Sequence, residues 1–292
     1  MCLSACRHPR ILNRINTRQL LSSPVPMSKF VRTDFSIKRL VDNSFKAIDE
    51  GAYETKHSFV HDAISIRKAI ISCLHAPLIT EVKFSSPSQG KIRSKTAPTA
   101  EIAATMVSSG AIGLSVLTQP YVFEGSIEYL AAIRKAVGVP LLMKDITVSR
   151  VQIDAGKKAG ADCMLLIKTI FDRDMAEEGM EELAQYAAKK GLQVLVEVHT
   201  EQEFAEVLKS RHALIGINNR SLDNLQVDIT NTERLLSRHA KGRSLIISES
   251  GIGKPEDIWY LRKVGADAFL VGTSIMETGD IGAKVAELHN SL

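Results

Sequence analysis

From Leu78 onward, short apolar runs alternate with longer stretches in which apolar positions recur three and four residues apart. The short runs are "LITEVKF" (78–84), "AIGLSVL" (111–117), "PLLMK" (140–144), "DCMLLI" (162–167), "QVLVEV" (193–198), "ALIGIN" (213–218), "SLIISES" (244–250) and "DAFLVG" (267–272). Their length and bounding turn residues predict strands, whereas the spacing in "PTAEIAATMVSSG", "GSIEYLAAIRKAVG", "MEELAQYAAKKG" and "PEDIWYLRKVGA" predicts helices. Several of these helices end at a Gly followed by an apolar residue, as a helix leading into a strand should. Eight strand–helix alternations imply parallel pairing through crossovers, and eight is the number that closes a (β/α)8 TIM barrel. A doubly wound sheet is the alternative. It would want a nucleotide-binding loop, and neither GxGxxG nor a Walker sequence is present.

Upstream, "DFSIKRLVDNSFKAIDEGAY" (34–53) and "HSFVHDAISIRKAIISCL" (57–74) carry helical spacing. The expected organisation is therefore one barrel domain over 34–292, including N-terminal helices within 36–75, behind a basic extension over 1–33. That extension has no Asp or Glu, and Arg7, Arg10, Arg14 and Arg18 recur at helical spacing. It reads as a disordered tail, a transit peptide, or a stretch ahead of a start at Met27.

The charge balance sharpens this division. The net charge of +4 equals the surplus of those four arginines, so the rest of the chain, with 33 basic and 33 acidic residues, is neutral. A neutral body argues against a nucleic-acid footprint, which needs clustered basic charge. No apolar stretch approaches the ~20 residues of a membrane helix. Cys2 and Cys6 with His8 lack a fourth metal ligand, and Cys73 and Cys163 show no framework spacing. Reduced thiols and a cytoplasmic location are the expectation.

In a barrel of this kind the active site gathers at the C-terminal strand ends. Polar residues fall there repeatedly: Glu81 and Lys83 on the first strand, Lys144 and Asp145 on the third, Glu197 on the fifth, Asn218 with Arg220 on the sixth, Glu249 and Ser250 on the seventh. Burying such charges costs several kcal/mol each unless they are paired or used. Alternation puts Ile79, Glu81 and Lys83 on one face and Leu78, Val82 and Phe84 on the other; Glu197 shares a face with Leu195. The loops "SESGIGKPED" and "VGTSIM" place Gly251, Gly253, Gly272, Thr273 and Ser274 after strands seven and eight, where barrels frequently bind phosphate through backbone N–H groups.

Taken in order, Glu81-Val82-Lys83 with Ser86-Pro87-Ser88, "SVLT", "LLMKD", "LVEVH", "IGINNR", "SESGI" and "AFLVGTSIM" resemble indole-3-glycerol phosphate synthase, from about Phe35 to Met276. The resemblance implies closure of the indole ring of 1-(2-carboxyphenylamino)-1-deoxyribulose 5-phosphate with loss of carbon dioxide and water. It implies no metal or organic cofactor, a small-molecule substrate, and a monomer or weak homo-oligomer with no nucleic-acid or membrane partner. It also implies that Lys144 is the general acid at the substrate carbonyl, Glu197 acts in the proton transfer of dehydration, and Lys83 holds the anthranilate carboxylate. Glu81, Asn218 and Ser250 would orient these groups. Ser86, Gly251, Gly272 and Thr273 would serve the anionic ends, with Arg220 as a further anion contact, and Phe123 and Leu165 would line the slot for the ring. A change at Gly272 should on this reading mainly weaken phosphate binding. Two departures stand out: Ile146 occupies a position where members often carry an aromatic residue, and the segment after the fourth strand is a few residues longer. A Schiff-base aldolase on the same barrel, with Lys144 as nucleophile, and a catalytically inactive barrel kept as a subunit or scaffold are the rival readings.

Overall fold

The computed structural model describes residues 36–86, 90–92 and 98–292. The basic extension, Pro87 and Ser88 therefore lie outside the described residues. Among those described, eight strands close a parallel barrel: β1 (Leu78–Val82), β2 (Gly113–Leu117), β3 (Leu141–Lys144), β4 (Cys163–Ile167), β5 (Gln193–Val198), β6 (Leu214–Asn218), β7 (Leu245–Glu249) and β8 (Ala268–Val271). Each pairs with its successor and β8 returns to β1, with Leu78 opposite Phe269. Every predicted strand is present, β5 over its full predicted range and the others shorter by a residue or two.

The alternation of side chains sorts the core into two bodies. Ile79, Leu142, Leu165, Leu195, Leu214, Ile247 and Leu270 fill the barrel interior. Leu78, Leu114, Leu141, Leu166, Val196, Ile215, Ile246 and Phe269 point outward to the surrounding helices. This packing needs helices with one apolar stripe. α3 (Thr99–Ser108), α4 (Ile127–Ala136), α5 (Arg150–Ala159), α7 (Met180–Lys189), α8 (Glu201–Lys209), α9 (Thr230–Arg238), α10 (Pro255–Lys263) and α12 (Ile281–His289) supply it, while α6 (Lys168–Asp172) and α11 (Thr273–Met276) are short turns at the mouth. Caps set their limits: Ser149 accepts from the Val151 N–H to start α5, and Gly160, at φ 92°, ends it in the left-handed conformation that favours glycine.

The N-terminal segments close the barrel at both ends. α1 (Ile37–Asp49), begun by Ser36 accepting from the Arg39 N–H, turns Ile37, Leu40 and Val41 onto the interior cluster at the mouth. α2 (Ile66–Ser72) turns Ile66 and Ile70 onto the same cluster from the other end, with the Ile66 N–H donating to Gln193 at the start of β5. The predicted helix over 57–74 is correct only in its second half. Residues 57–65 run down the barrel side without helical structure because tertiary partners take their backbone groups: the Phe59 N–H donates to the Lys158 carbonyl and the Ile64 N–H to the Asp162 carboxylate. Buried Asp162 also accepts from Arg134, from the Leu141 N–H and from the His61 ring, which satisfies its charge with four donors.

Candidate active site

The inward-facing side of each strand, which carries the interior aliphatics, carries polar residues at its last layer. Glu81 follows Ile79, Lys144 follows Leu142, Glu197 follows Leu195, Asn218 follows Gly216, and Glu249 follows Ile247, so all point into the mouth. There they form one connected system. Lys144 Nζ donates to Glu197 Oε2 at 2.9 Å and also to Glu249 Oε2. Asn218 Nδ2 donates to the other Glu197 oxygen at 2.9 Å, and Lys83 Nζ lies 2.8 Å from Glu81 Oε1. Ser115 Oγ reaches Glu81 Oε2 at 3.4 Å.

A cavity of roughly 410 Å³ opens over this cluster. All thirteen residues to which the resemblance gives a role line it. Lys144, Glu197, Lys83, Glu81 and Asn218 form its charged floor. Ser250, Gly251, Gly272 and Thr273 form one wall, with Ser250 and Gly251 both at positive φ, 69° and 83°. Phe123 and Leu165 contribute apolar surface, and Ser86 and Arg220 stand at the rim. Arg220 is fixed there by donating from its side chain to the Leu225 carbonyl and from its backbone to Asn218 Oδ1.

Three carboxylates and two ammonium groups share a space from which water is largely excluded, and their protonation follows from that count. Burial opposes the charge on Lys144, but Glu197, Glu249 and Glu81 outweigh it and raise its pKa, so the ammonium is retained. Burial likewise works against Glu81, yet Lys83 and Lys144 hold it below the usual carboxylate range. Glu197 is held low against burial by Lys144 and by the Asn218 hydrogen bond. Glu249 goes the other way. Burial, reinforced by the charge of Glu197, overcomes Lys144 and pushes it up to about 8. At neutral pH Lys144 is then charged, Glu81 and Glu197 are ionised, and Glu249 holds a proton.

Sequence reasoning noted Glu249 among the strand-end polar residues but left it without a role; its parity with Ile247 was the signal that it points inward. Leu40, which α1 brings over the cavity, could not be found from a local pattern because it arrives from outside the barrel strands. Ile146 does line the cavity, whose apolar side is bounded by aliphatic side chains and Phe123. Behind it, Asp145 is buried, accepting from Tyr53 at 2.9 Å, from Gln152, from the Ile146 N–H and from Thr118. Burial lifts its pKa to about 6, while those donors pull against the rise. Among the described residues no group of three or more His, Cys, Asp or Glu is arranged to hold a metal ion.

A (β/α)8 barrel whose mouth holds a lysine between carboxylates, beside glycine-rich loops, has the form of a barrel enzyme acting on a small molecule. Solved structures with the same fold include 3-hexulose-6-phosphate synthase, at TM-score 0.57 and 19% identity over 74% of this chain and 99% of that one. Thiamine phosphate pyrophosphorylase from Pyrococcus furiosus gives TM-score 0.56 at 15% identity, covering 78% of this chain and 97% of that chain. At such identities they speak for the fold alone. The family model for indole-3-glycerol phosphate synthase matches residues 38–288. The protein of that name from Ruminiclostridium cellulolyticum is 41% identical over 213 residues, 73% of this chain and 80% of its own length. Its counterpart from Aquifex aeolicus is 41% identical over 222 residues, 76% of this chain and 84% of its own length. The chain belongs to the indole-3-glycerol phosphate synthase family. Its activity is the carboxy-lyase reaction of tryptophan biosynthesis that this family performs.

Proposed function

We propose that ring closure of 1-(2-carboxyphenylamino)-1-deoxyribulose 5-phosphate proceeds with Lys144 as the proton donor. The observation that carries this reading is the position of Lys144 Nζ, bonded to both Glu197 and Glu249 on the cavity floor. When the aromatic carbon bearing the carboxylate attacks the substrate carbonyl, the carbonyl oxygen gains negative charge and takes a proton from this ammonium. Loss of carbon dioxide from the same carbon returns its bonding pair to the ring. The new hydroxyl then leaves as water by taking a second proton from Lys144, reprotonated from solvent through the open cavity, while Glu197, ionised and oriented by Asn218, receives the proton released as the double bond forms. Lys83, steadied by Glu81, holds the carboxylate until it departs.

The flanking carboxylates make Lys144 a reliably charged donor but a less willing one. Transfer becomes easier as the protonated Glu249 turns its proton toward Lys144, so the two work as one donor pair. Leu40, Phe123, Ile146 and Leu165 receive the ring, and the backbone of the β7 and β8 loops, with Arg220, receives the phosphate. No helix among the described residues is long and apolar enough to cross a membrane. A cytoplasmic enzyme acting as a monomer or weak homo-oligomer belongs to the same proposal, and size-exclusion chromatography at graded concentration tests the latter. The substrate test is direct: the carboxyphenylamino-deoxyribulose phosphate should produce indole fluorescence with the purified chain. A folded protein that leaves the substrate unchanged would overturn the assignment.

A further inference from the structure

Gly216 lies in the middle of β6, on the interior face between Leu214 and Asn218 and opposite Glu197 in register. Its φ is not in the left-handed region, so the backbone does not call for glycine there. A glycine inside a strand forgoes packing and adds chain entropy, and it commonly marks a close approach by another group. That group is Glu249. A Cβ built on Gly216 would sit 2.1 Å from Glu249 Oε1 and 3.2 Å from its Cδ, with Leu195 Cδ1 at 3.5 Å. The same oxygen is buried and has no hydrogen-bond partner, whereas Oε2 is the one that accepts from Lys144.

We propose that Gly216 is a positioning residue, whose missing side chain is the seat that holds the Glu249 carboxyl against Lys144. Nothing polar anchors Oε1, so the shape of the barrel interior does: Leu195 on one side and the bare strand on the other leave one place for the carboxyl. A methyl at Gly216 meets only the far end of a flexible side chain, so the barrel can keep its fold while the carboxyl is displaced. Lys144 would retain Glu197 but lose its second partner. The proposal rests on Lys144 being the proton donor for its effect on turnover, though not for its effect on geometry.

The test is a double-mutant cycle with a structural arm. Gly216→Ala should lower kcat roughly 10- to 100-fold, the scale of a displaced catalytic group, with KM changed less than about threefold and with melting behaviour near that of the parent. In the Glu249→Ala background, where nothing occupies the seat, the same Gly216→Ala change should alter kcat less than about twofold. A crystal structure of the Gly216→Ala protein should show the Glu249 carboxyl out of hydrogen-bonding range of Lys144. Equal losses from Gly216→Ala in both backgrounds would overturn the proposal, as would a variant structure in which the Lys144–Glu249 contact survives. If Lys144→Ala itself retains turnover, the donor role fails while the seat is still decided by the crystal structure.

Discussion

Among the three carboxyls of the charge cluster, Glu249 is the one pushed up rather than down. With a folded pKa of about 8 against an ordinary 4.5, it binds a proton in the native protein that the unfolded chain has already released between those values. Its contribution to stability is fully present below about pH 4.5 and is lost as pH rises through about 8. Glu249→Gln is neutral at every pH and removes that slope. From about pH 5 to about pH 9 the wild-type melting temperature should fall relative to the variant by a few degrees; parallel curves would contradict the assignment. Activity should separate the two flanking carboxylates. Glu197→Gln removes an ionised proton acceptor and should cost on the order of 100-fold in kcat. Glu249→Gln at pH 7 replaces one neutral group with another and should cost less than about tenfold, and the reverse order in steady-state assays would exchange their roles. Glu197 was readable in the sequence as the one charged residue of its strand; Glu249 sat beside Ser250, and its parity with Ile247 tells which of the two enters the charge cluster only once the inward face of that strand is known.

At the scale of elements, the strands were legible and the N-terminal segments only partly so. A strand in a barrel is buried on both faces, which leaves an unbroken apolar run with turn residues at its ends. Residues 57–65 have helical spacing, but their apolar positions serve contacts with distant parts of the chain, and a local pattern cannot distinguish the two uses. The link between α1 and the barrel is tested by Tyr53, which lies just past the helix and donates to buried Asp145, beside Lys144. Tyr53→Phe removes a hydrogen bond to a buried carboxyl, a loss of about 1.5–3 kcal/mol, so the melting temperature should drop by several degrees. KM should rise as Leu40 is less firmly held over the cavity. An unchanged melting temperature would mean that α1 is held by its apolar face alone. The β8 loop corrects a simpler expectation. A side chain at Gly272 would meet Glu81 Oε1 at 2.8 Å and Lys83 Nζ at 3.3 Å, so Gly272→Ala should lower kcat as well as raise KM, rather than weaken phosphate binding alone.

Across the whole molecule, stability and chemistry occupy different layers of one barrel. The interior aliphatic layers and the α2 plug hold the far end closed, and only the last residue layer of the strands is charged. This division is why the family could be read from seven short blocks: each joins a stretch that packs to a residue or two at the mouth. It is also why the cross-strand pairings could not be read, since those of Lys144 with Glu197 and Glu249 depend on the register and tilt of strands far apart in sequence, whereas Glu81 and Lys83 already share a face of one strand. The most direct test of the account is turnover by Lys144→Ala, followed through indole fluorescence with substrate binding measured separately. The account predicts a folded protein that binds the carboxyphenylamino-deoxyribulose phosphate but loses at least about 100-fold in kcat. A Lys144→Ala enzyme with near-normal kcat would contradict it.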